Sequence, residues 1–268
     1  MFQFSGTYSI ALASLGFLCF IGTQAQTLKQ GDYYDEAGQI FTTIFHKYNE
    51  RINPVKDVYP KAVPVNLELT LVHVLDMDDQ KNVLDSIIDL RISWLDPRLF
   101  WYAYIIKHIT VNISTVWAPD VPILNIVAAP QVLINPRTLV VNATGDIFWY
   151  QRLRTQTLCE PSDSMVKLCS FKFGSRQLTT NQQDFGENVT FDVADEMKDS
   201  PWKPTVVGIE RHTQPAYHQP LIGNYSEVHC LLNVTAIKNI SNGASSRYMH
   251  VSSLVTFMSI YGIAKFTF

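Results

Sequence analysis

Two cysteines in this chain are close enough in sequence to form a disulfide bond between neighbouring strands. Cys159 and Cys169 are separated by the short segment EPSDSMVKL, apolar alternation flanks them, and Gly174 follows. Two cysteines this close in such a setting predict two strands that are joined by a disulfide bond.

Cys230 is left without a partner, because Cys19 lies in an apolar leader. In YSEVHCLLNVT, Val228, Cys230 and Leu232 alternate with Glu227, His229 and Leu231. The period of two places Cys230 on the apolar face of a strand, as a buried small hydrophobe, and Asn233 on the opposite face.

Catalytic and nucleotide-binding motifs are missing from the sequence. We find no phosphate-binding glycine loop and no Gly-x-Ser-x-Gly turn. The seven histidines show no His-x-x-x-His or Cys-x-x-Cys spacing, so no metal site and no cofactor are predicted. The adjacent carboxylates Asp78 and Asp79 lie in a predicted polar turn, where we expect them to be solvated. The net charge of -3 gives no footprint for nucleic acid. The sequence therefore predicts a protein that is not an enzyme.

The N-terminus resembles a secretory signal. Residues 1–25 contain an apolar run at 10–21 and small residues near a cleavage point at Ala25. A membrane anchor is the alternative, and the shortness of the run speaks against it. Six N-x-Ser/Thr sequons agree with secretion and are the predicted glycosylation sites: Asn112, Asn142, Asn188, Asn224, Asn233 and Asn239. The expected location is the extracellular side of the membrane, or the medium.

The hydrophobic periodicity predicts one helix followed by strands. Residues 34–48 carry apolar side chains at helical spacing. Strand-like alternation or short β segments follow at 65–71, 88–94, 111–117, 131–134, 138–141, 147–153, 167–173, 188–193, 205–211 and 225–235, with a turn at 76–79. This order predicts an all-β, antiparallel β-sandwich in a single domain over residues 26–245.

The last residues, 246–268, form an apolar segment that is long enough to cross a bilayer. Several Ser and Thr residues and Lys265 weaken that interpretation. The alternatives are one more strand or a disordered end.

Several short motifs occur in a fixed order along the chain. They are Trp94, Asp96, Leu99 and Trp101, then Trp117, Pro119 and Asp120, then Gly145 and Trp149 ahead of Cys159. Over residues 34–235 this order resembles the extracellular ligand-binding domain of Cys-loop receptors, the pentameric neurotransmitter-gated ion channels. The resemblance implies a short N-terminal helix on a sandwich of about ten strands, and ligand sites between identical or homologous subunits. Soluble acetylcholine-binding proteins share this domain without a channel.

The resemblance also implies where a ligand would bind. Acetylcholine-type sites enclose a quaternary ammonium in aromatic rings. Tyr217 and Tyr225 match the two tyrosines of the hairpin loop, although Gln219 and Pro220 replace the adjacent cysteine pair. Three positions that are aromatic in such sites carry Leu124, Arg176 and Asp89 here, and Phe148 and Tyr150 match the strand that closes the partner's face.

This set of residues predicts that acetylcholine is not bound in an aromatic cage, because Arg176 would repel a cation. Arg176 could instead hold a carboxylate and Asp89 an amine, as a zwitterion such as an amino acid requires. The alternative is that Arg176 and Asp89 pair with each other across the subunit interface and leave no site.

The expected function is the extracellular ligand-binding domain of a pentameric channel subunit that lacks most or all of the pore. On this interpretation, residues 246–268 are a truncated first membrane helix. The alternative is a soluble, secreted ligand-binding homologue. The third hypothesis is a secreted β-sandwich adhesion module that is unrelated to these receptors.

Overall fold

The computed structural model describes residues 30–54, 62–134, 137–162, 164–195, 197, 200–215 and 223–237. The predictions on the leader, Tyr217, Asn239 and the segment 246–268 fall outside these residues. The described elements are α1 (Gln30–Ile44), β1 (Val63–Asp78), β2 (Val83–Leu95), β3 (His108–Asn112), β4 (Gln131–Ile134), β5 (Thr138–Asn142), β6 (Asp146–Leu158), β7 (Val166–Gly174), β8 (Gln183–Val193), β9 (Trp202–Pro215) and β10 (Asn224–Ala236).

The strands form two sheets. The larger has the order β3-β5-β6-β2-β1-β8, with β4 paired to β6, and the smaller has the order β7-β10-β9. The predicted all-β sandwich with an N-terminal helix is confirmed. One pair differs from the antiparallel expectation, because β8 runs parallel to β1. The chain reaches β8 only after β7 in the other sheet, so no hairpin imposes the antiparallel direction on that pair.

The core lies on the apolar faces of the strands. Val65, Leu67, Leu69 and Leu71 of β1 are all buried, as their alternation predicts. Cys230 is fully buried as well, and burial raises the pKa of its thiol to about 12. The prediction of a buried small hydrophobe at Cys230 is therefore confirmed.

Two of the family-like motif residues, Asp96 and Trp117, belong to one polar network just after the end of α1. Tyr48 donates to Asp96 at 2.7 Å and accepts from the backbone N–H of Trp117 at 2.9 Å. Arg98 holds both carboxylate oxygens of the fully buried Asp96, at 2.8 and 2.7 Å. Burial raises the pKa of the Tyr48 hydroxyl, and Asp96 raises it further. The network fixes the helix to the loop that follows β2.

The helix is displaced toward the N-terminus from the predicted 34–48. It ends at Ile44, and Lys47 takes a positive φ of 57° in the turn that follows. A longer helix would carry Tyr48 along its surface, whereas the turn directs its hydroxyl to Asp96. The buried network therefore outweighs the helical periodicity of the last residues.

The strand predicted at 111–117 is wrong over most of its length. β3 ends at Asn112, whose side-chain oxygen accepts from the backbone N–H of Ser114 at 3.0 Å and caps a 3-10 turn at Ile113–Thr115. The turn predicted at 76–79 also lies later, because β1 continues to Asp78 and Asn82 takes a positive φ of 54° before β2. In both places a side-chain cap or a left-handed residue, rather than hydrophobic pattern, decides where the strand stops.

Cys159 and Cys169 form a disulfide bond, as predicted. Cys159 directly follows β6 of the larger sheet, and Cys169 lies in β7 of the smaller sheet. The bond therefore ties the two layers of the sandwich to each other.

Among the sequon residues, Asn112, Asn188 and Asn224 are exposed, while Asn142 and Asn233 are partly buried. Glycosylation at all six positions stays a prediction. Within the described residues, no helix has the length and apolar character to span a bilayer.

Candidate functional site

The loop that follows β7 presents Arg176. Asp120 organises this loop, because its Oδ2 accepts from the Ser175 hydroxyl at 2.8 Å and from the backbone N–H of Arg176 at 3.0 Å. Gln183 holds the backbone of Asp120 in turn, with contacts of 2.8 Å to its N–H and its carbonyl. These contacts hold the backbone of Arg176 in place and so fix the point from which its side chain extends.

The guanidinium of Arg176 donates to the Oε1 of Glu227 at 2.8 Å. Glu227 lies in β10 and is buried, whereas 52% of the Arg176 side chain is exposed. Burial raises the pKa of Glu227, but the hydrogen bonds from Arg176 and His229 outweigh it and leave that pKa below its usual value. Among the residues that the structure describes, the side-chain partner of Arg176 is therefore a charged carboxylate.

Gly174 makes room for this arrangement. A Cβ at Gly174 would lie 2.9 Å from the Cγ of Glu227 and 2.9 Å from a methyl carbon of Leu124. Leu124 is anchored beside β7 by its backbone N–H, which donates to the carbonyl of Lys172 at 2.7 Å. The structure thus brings Leu124, Arg176 and Glu227 together at the end of β7.

Tyr225 is the second residue of β10, the strand that carries Glu227, and it is partly buried. The two residues are two positions apart, so they share one face of β10. Tyr225 therefore lies on the face of β10 that bears Glu227, the partner of Arg176. Tyr217, its predicted companion, lies outside the described residues.

A second group of the predicted residues lies on the larger sheet. Asp89 of β2 accepts two hydrogen bonds from Arg152 of β6, at 2.6 and 2.7 Å, and one from the Tyr150 hydroxyl at 2.9 Å. The guanidinium of Arg152 holds the pKa of Asp89 below its ordinary value, against the effect of burial and with help from Tyr150. Asp89 therefore has an internal cation as its partner.

Phe148 and Tyr150 line one groove of about 400 Å³ with Trp149, Glu68 and Arg91. The alternation along β6 places Ile147 in the core, fully buried, and leaves 48% of Phe148 exposed. Trp149, the next residue of the set that contains Ile147, is only partly buried and lines the same groove as Phe148 and Tyr150. An interface at this groove stays a prediction.

The predicted site residues thus form two groups on different sheets. Leu124, Arg176 and Tyr225 belong to the smaller sheet and the segments beside it, and Asp89, Phe148 and Tyr150 belong to the larger one. Arg176 and Asp89 each have an ionic partner within the chain, which are Glu227 and Arg152. Contact between the two groups across subunits stays a prediction.

Three functional candidates were missed by the sequence reasoning. Glu210 and His212 of β9 and His229 of β10 place their ligand atoms within 4.8 Å of one another. Burial lowers the pKa of His229, which favours the neutral imidazole. The signal in the sequence was a repeated Glu-x-His tripeptide, Glu210-Arg211-His212 and Glu227-Val228-His229, which only strand pairing converts into a cluster.

Comparison with known proteins adds an independent observation. The protein-family model described as neurotransmitter-gated ion-channel ligand binding domain matches residues 37–241. The neuronal acetylcholine receptor subunit alpha-9 of Gallus gallus is 28% identical over 201 residues, which cover 69% of this chain and 40% of that protein. The acetylcholine receptor subunit beta-type lev-1 of Caenorhabditis elegans is 26% identical over 207 residues, with 70% and 40% covered.

A third relative, the neuronal acetylcholine receptor subunit alpha-10 of Rattus norvegicus, is 28% identical over 198 residues that cover 67% of this chain and 44% of that protein. The chain thus spans less than half the length of these relatives. The matched region begins within α1 and contains all ten strands, the disulfide and both groups of candidate site residues. The chain belongs to the family of neurotransmitter-gated ion-channel ligand-binding domains, which is a receptor family and not a family of enzymes.

Proposed function

We propose that this chain is the extracellular ligand-binding domain of a pentameric receptor subunit, and that its ligand carries a carboxylate group rather than a quaternary ammonium. The observation that carries the second half is the guanidinium of Arg176, fixed beside Glu227 at the position where acetylcholine-type sites have a central ring.

Electrostatics argue against an ammonium ligand. A cation is held over an aromatic ring by the negative face of that ring, and a guanidinium offers positive charge in its place. Glu227 offsets part of that charge, but it is buried behind Arg176, and Arg176 is the exposed member of the pair. A cationic ligand that approaches from solvent therefore meets the guanidinium first.

A carboxylate ligand fits the donors that Arg176 has left. Among the described residues, the side chain of Arg176 contacts protein through Nη1, at 2.8 Å to Glu227 and 3.5 Å to the carbonyl of Ser175. The Nε and Nη2 donors form the second edge of the guanidinium, which is the edge that binds carboxylates in a bidentate manner.

Asp89 takes a different part in this proposal from the one that its sequence position suggested. Its carboxylate already accepts three hydrogen bonds from Arg152 and Tyr150. We assign it the task of holding Tyr150 at the groove beside Phe148, on the face that a neighbouring subunit would meet. The amine of a zwitterionic ligand is then left to aromatic groups such as Tyr225 and Tyr150.

A thermal-shift panel tests the ligand class. We expect acidic amino acids to raise the melting temperature of the purified domain by mass action, and acetylcholine and choline to leave it unchanged. The variant Arg176→Gln should lose the response, and Arg51→Gln, which alters an exposed arginine elsewhere, should keep it. Stabilisation by the quaternary amines alone would contradict the proposal.

Two further measurements test the assembly and the location. Light scattering of the deglycosylated protein should give the mass of five chains, and a monomer would speak against a site between subunits. Carbonate extraction of expressing cells should leave the protein in the membrane fraction if it is a receptor subunit. Recovery from the medium would favour the secreted ligand-binding homologue instead.

A further inference from the structure

We propose that β9 and β10 form a binding site for a divalent transition-metal ion of the zinc class, with Glu210, His212 and His229 as its protein ligands. The ligand atoms of these three residues lie within 4.8 Å of one another. The proposal stands on this geometry alone and does not depend on the identity of the small ligand at Arg176.

The site arises because two Glu-x-His tripeptides pair in opposite directions. In the antiparallel register, Glu227 lies opposite His212, and His229 lies opposite Glu210. Residues that are directly opposite, or two apart on one strand, share a face of the sheet. All four side chains therefore project from the face of β9 and β10 that points away from the core.

The side chains already contact one another in pairs. The Nε2 of His212 lies 3.2 Å from a carboxylate oxygen of Glu210, and the Nε2 of His229 lies 3.2 Å from one of Glu227. The centres of the two imidazole rings lie 4.2 Å apart, and the ring planes are tilted by 34°. Zinc–ligand distances of about 2.1 Å imply ligand separations of about 3.4 Å in a tetrahedron, so small side-chain rotations are sufficient.

The ligand chemistry selects the class of metal. Two imidazoles and a carboxylate suit Zn²⁺ and its neighbours in the first transition row, whereas Mg²⁺ and Ca²⁺ prefer sites made of oxygen alone. Three protein ligands leave a fourth position to water or to a further group. Glu227 is a positioning residue, because it contacts His229 and receives Arg176 on its other oxygen.

The surrounding charges neither create nor prevent the site. Lys172 of β7 lies in register with His229, and Arg176 is bonded to Glu227, so two cations stand against the two carboxylates. Affinity must then come from direct coordination rather than from a negative field. The ligands lie in the interior of paired strands, which hold their backbones in place.

Calorimetric titration of Zn²⁺ into the chelator-treated, purified domain tests the proposal. We expect one ion per chain with micromolar affinity, and His212→Ala and His229→Ala should each weaken binding by a factor of about ten or more. His108→Ala is the matched control, because His108 is an exposed strand histidine in the other sheet, and it should bind as the wild type does.

Two additions keep the test decisive. Glu210 is exposed, so Glu210→Gln should leave the fold intact while it weakens binding, and melting curves in chelator verify folding of every variant. Co²⁺ in place of Zn²⁺ should give the intense visible absorption of a four-coordinate site. Saturable binding that is unchanged in all three variants, or binding only at millimolar Zn²⁺, would overturn the proposal.

Discussion

The two sheets handle the charged residues on their outward faces in different ways. On the larger sheet, Asp89 accepts hydrogen bonds from Nε and Nη2 of Arg152 and from the Tyr150 hydroxyl, so its charge is paired within the chain. On the smaller sheet, Glu227 is shared between Arg176 and His229, and each of these keeps further donor or ligand capacity. The charge of Asp89 is thus neutralised within the chain, whereas Arg176 and His229 on the smaller sheet keep atoms that can bind a ligand or a metal ion. This contrast is the reason for proposing that the ligand-recognising charge lies on the smaller sheet.

The largest effect should follow from separating the two sheets. Cys159→Ser combined with Cys169→Ser removes the covalent tie between the end of β6 and β7. We expect a loss of about 2–3 kcal/mol in the free energy of unfolding, because closing a short loop restricts the unfolded chain. Denaturant unfolding measures it. An unchanged midpoint would show that the sandwich holds its layers without this bond.

The buried carboxylate of the smaller sheet should come next. Glu227→Gln removes the charge that faces both Arg176 and His229. We expect a loss of about 1–2 kcal/mol, because a buried, charge-assisted hydrogen bond is weakened. Glu187→Gln changes an exposed glutamate of β8 and serves as the control in the same melting experiment. Equal melting temperatures for the two variants would contradict the account of this cluster.

A smaller loss is expected on the larger sheet. Asp89→Asn should cost about 1 kcal/mol, because the Arg152 pair is partly exposed to solvent and therefore screened. Asp192→Asn, an exposed aspartate of β8, is the control.

The pH dependence of this pair has a definite sign. The pKa of Asp89 is lower in the folded state than its ordinary value. Its contribution is therefore fully present above the ordinary carboxyl pKa and is lost as the pH falls through the folded pKa. The wild type and Asp89→Asn should converge in stability in acid. A difference that stays constant down to low pH would contradict the ionic account.

The smallest effect is expected at Cys230, which lies in the core between the two sheets. Burial raises the pKa of Cys230 to about 12, so a thiol reagent at mildly alkaline pH should not modify it in the native protein. After unfolding in denaturant, the same reagent should react with it at once. Rapid modification of Cys230 in the folded state would show that the core opens there.

The alternation of apolar residues was sufficient to predict the class of the fold and the burial of Cys230. It was not sufficient for the end of α1, because Tyr48 leaves the helix for a buried Asp96 that is distant in sequence. The strand at 111–117 failed for a local reason, since Asn112 caps a turn. Hydrophobic period carries no information on such polar contacts.

The site shows the same division. Position in the family motifs was sufficient to bring attention to Arg176 and Asp89. Their partners, Glu227 and Arg152, follow from strand register, which a single sequence does not specify. The Glu-x-His repeat was visible in the sequence, but the two tripeptides form a cluster only because β9 and β10 pair with glutamate opposite histidine.

The most direct test of the central claim is a calorimetric titration of acetylcholine into the assembled wild-type domain, with Arg176→Trp titrated beside it. If Arg176 has replaced the central ring of an aromatic cage, the wild type should show no saturable heat, and the tryptophan variant should gain affinity for acetylcholine. Micromolar binding by the wild type that is lost in Tyr217→Ala would contradict the account.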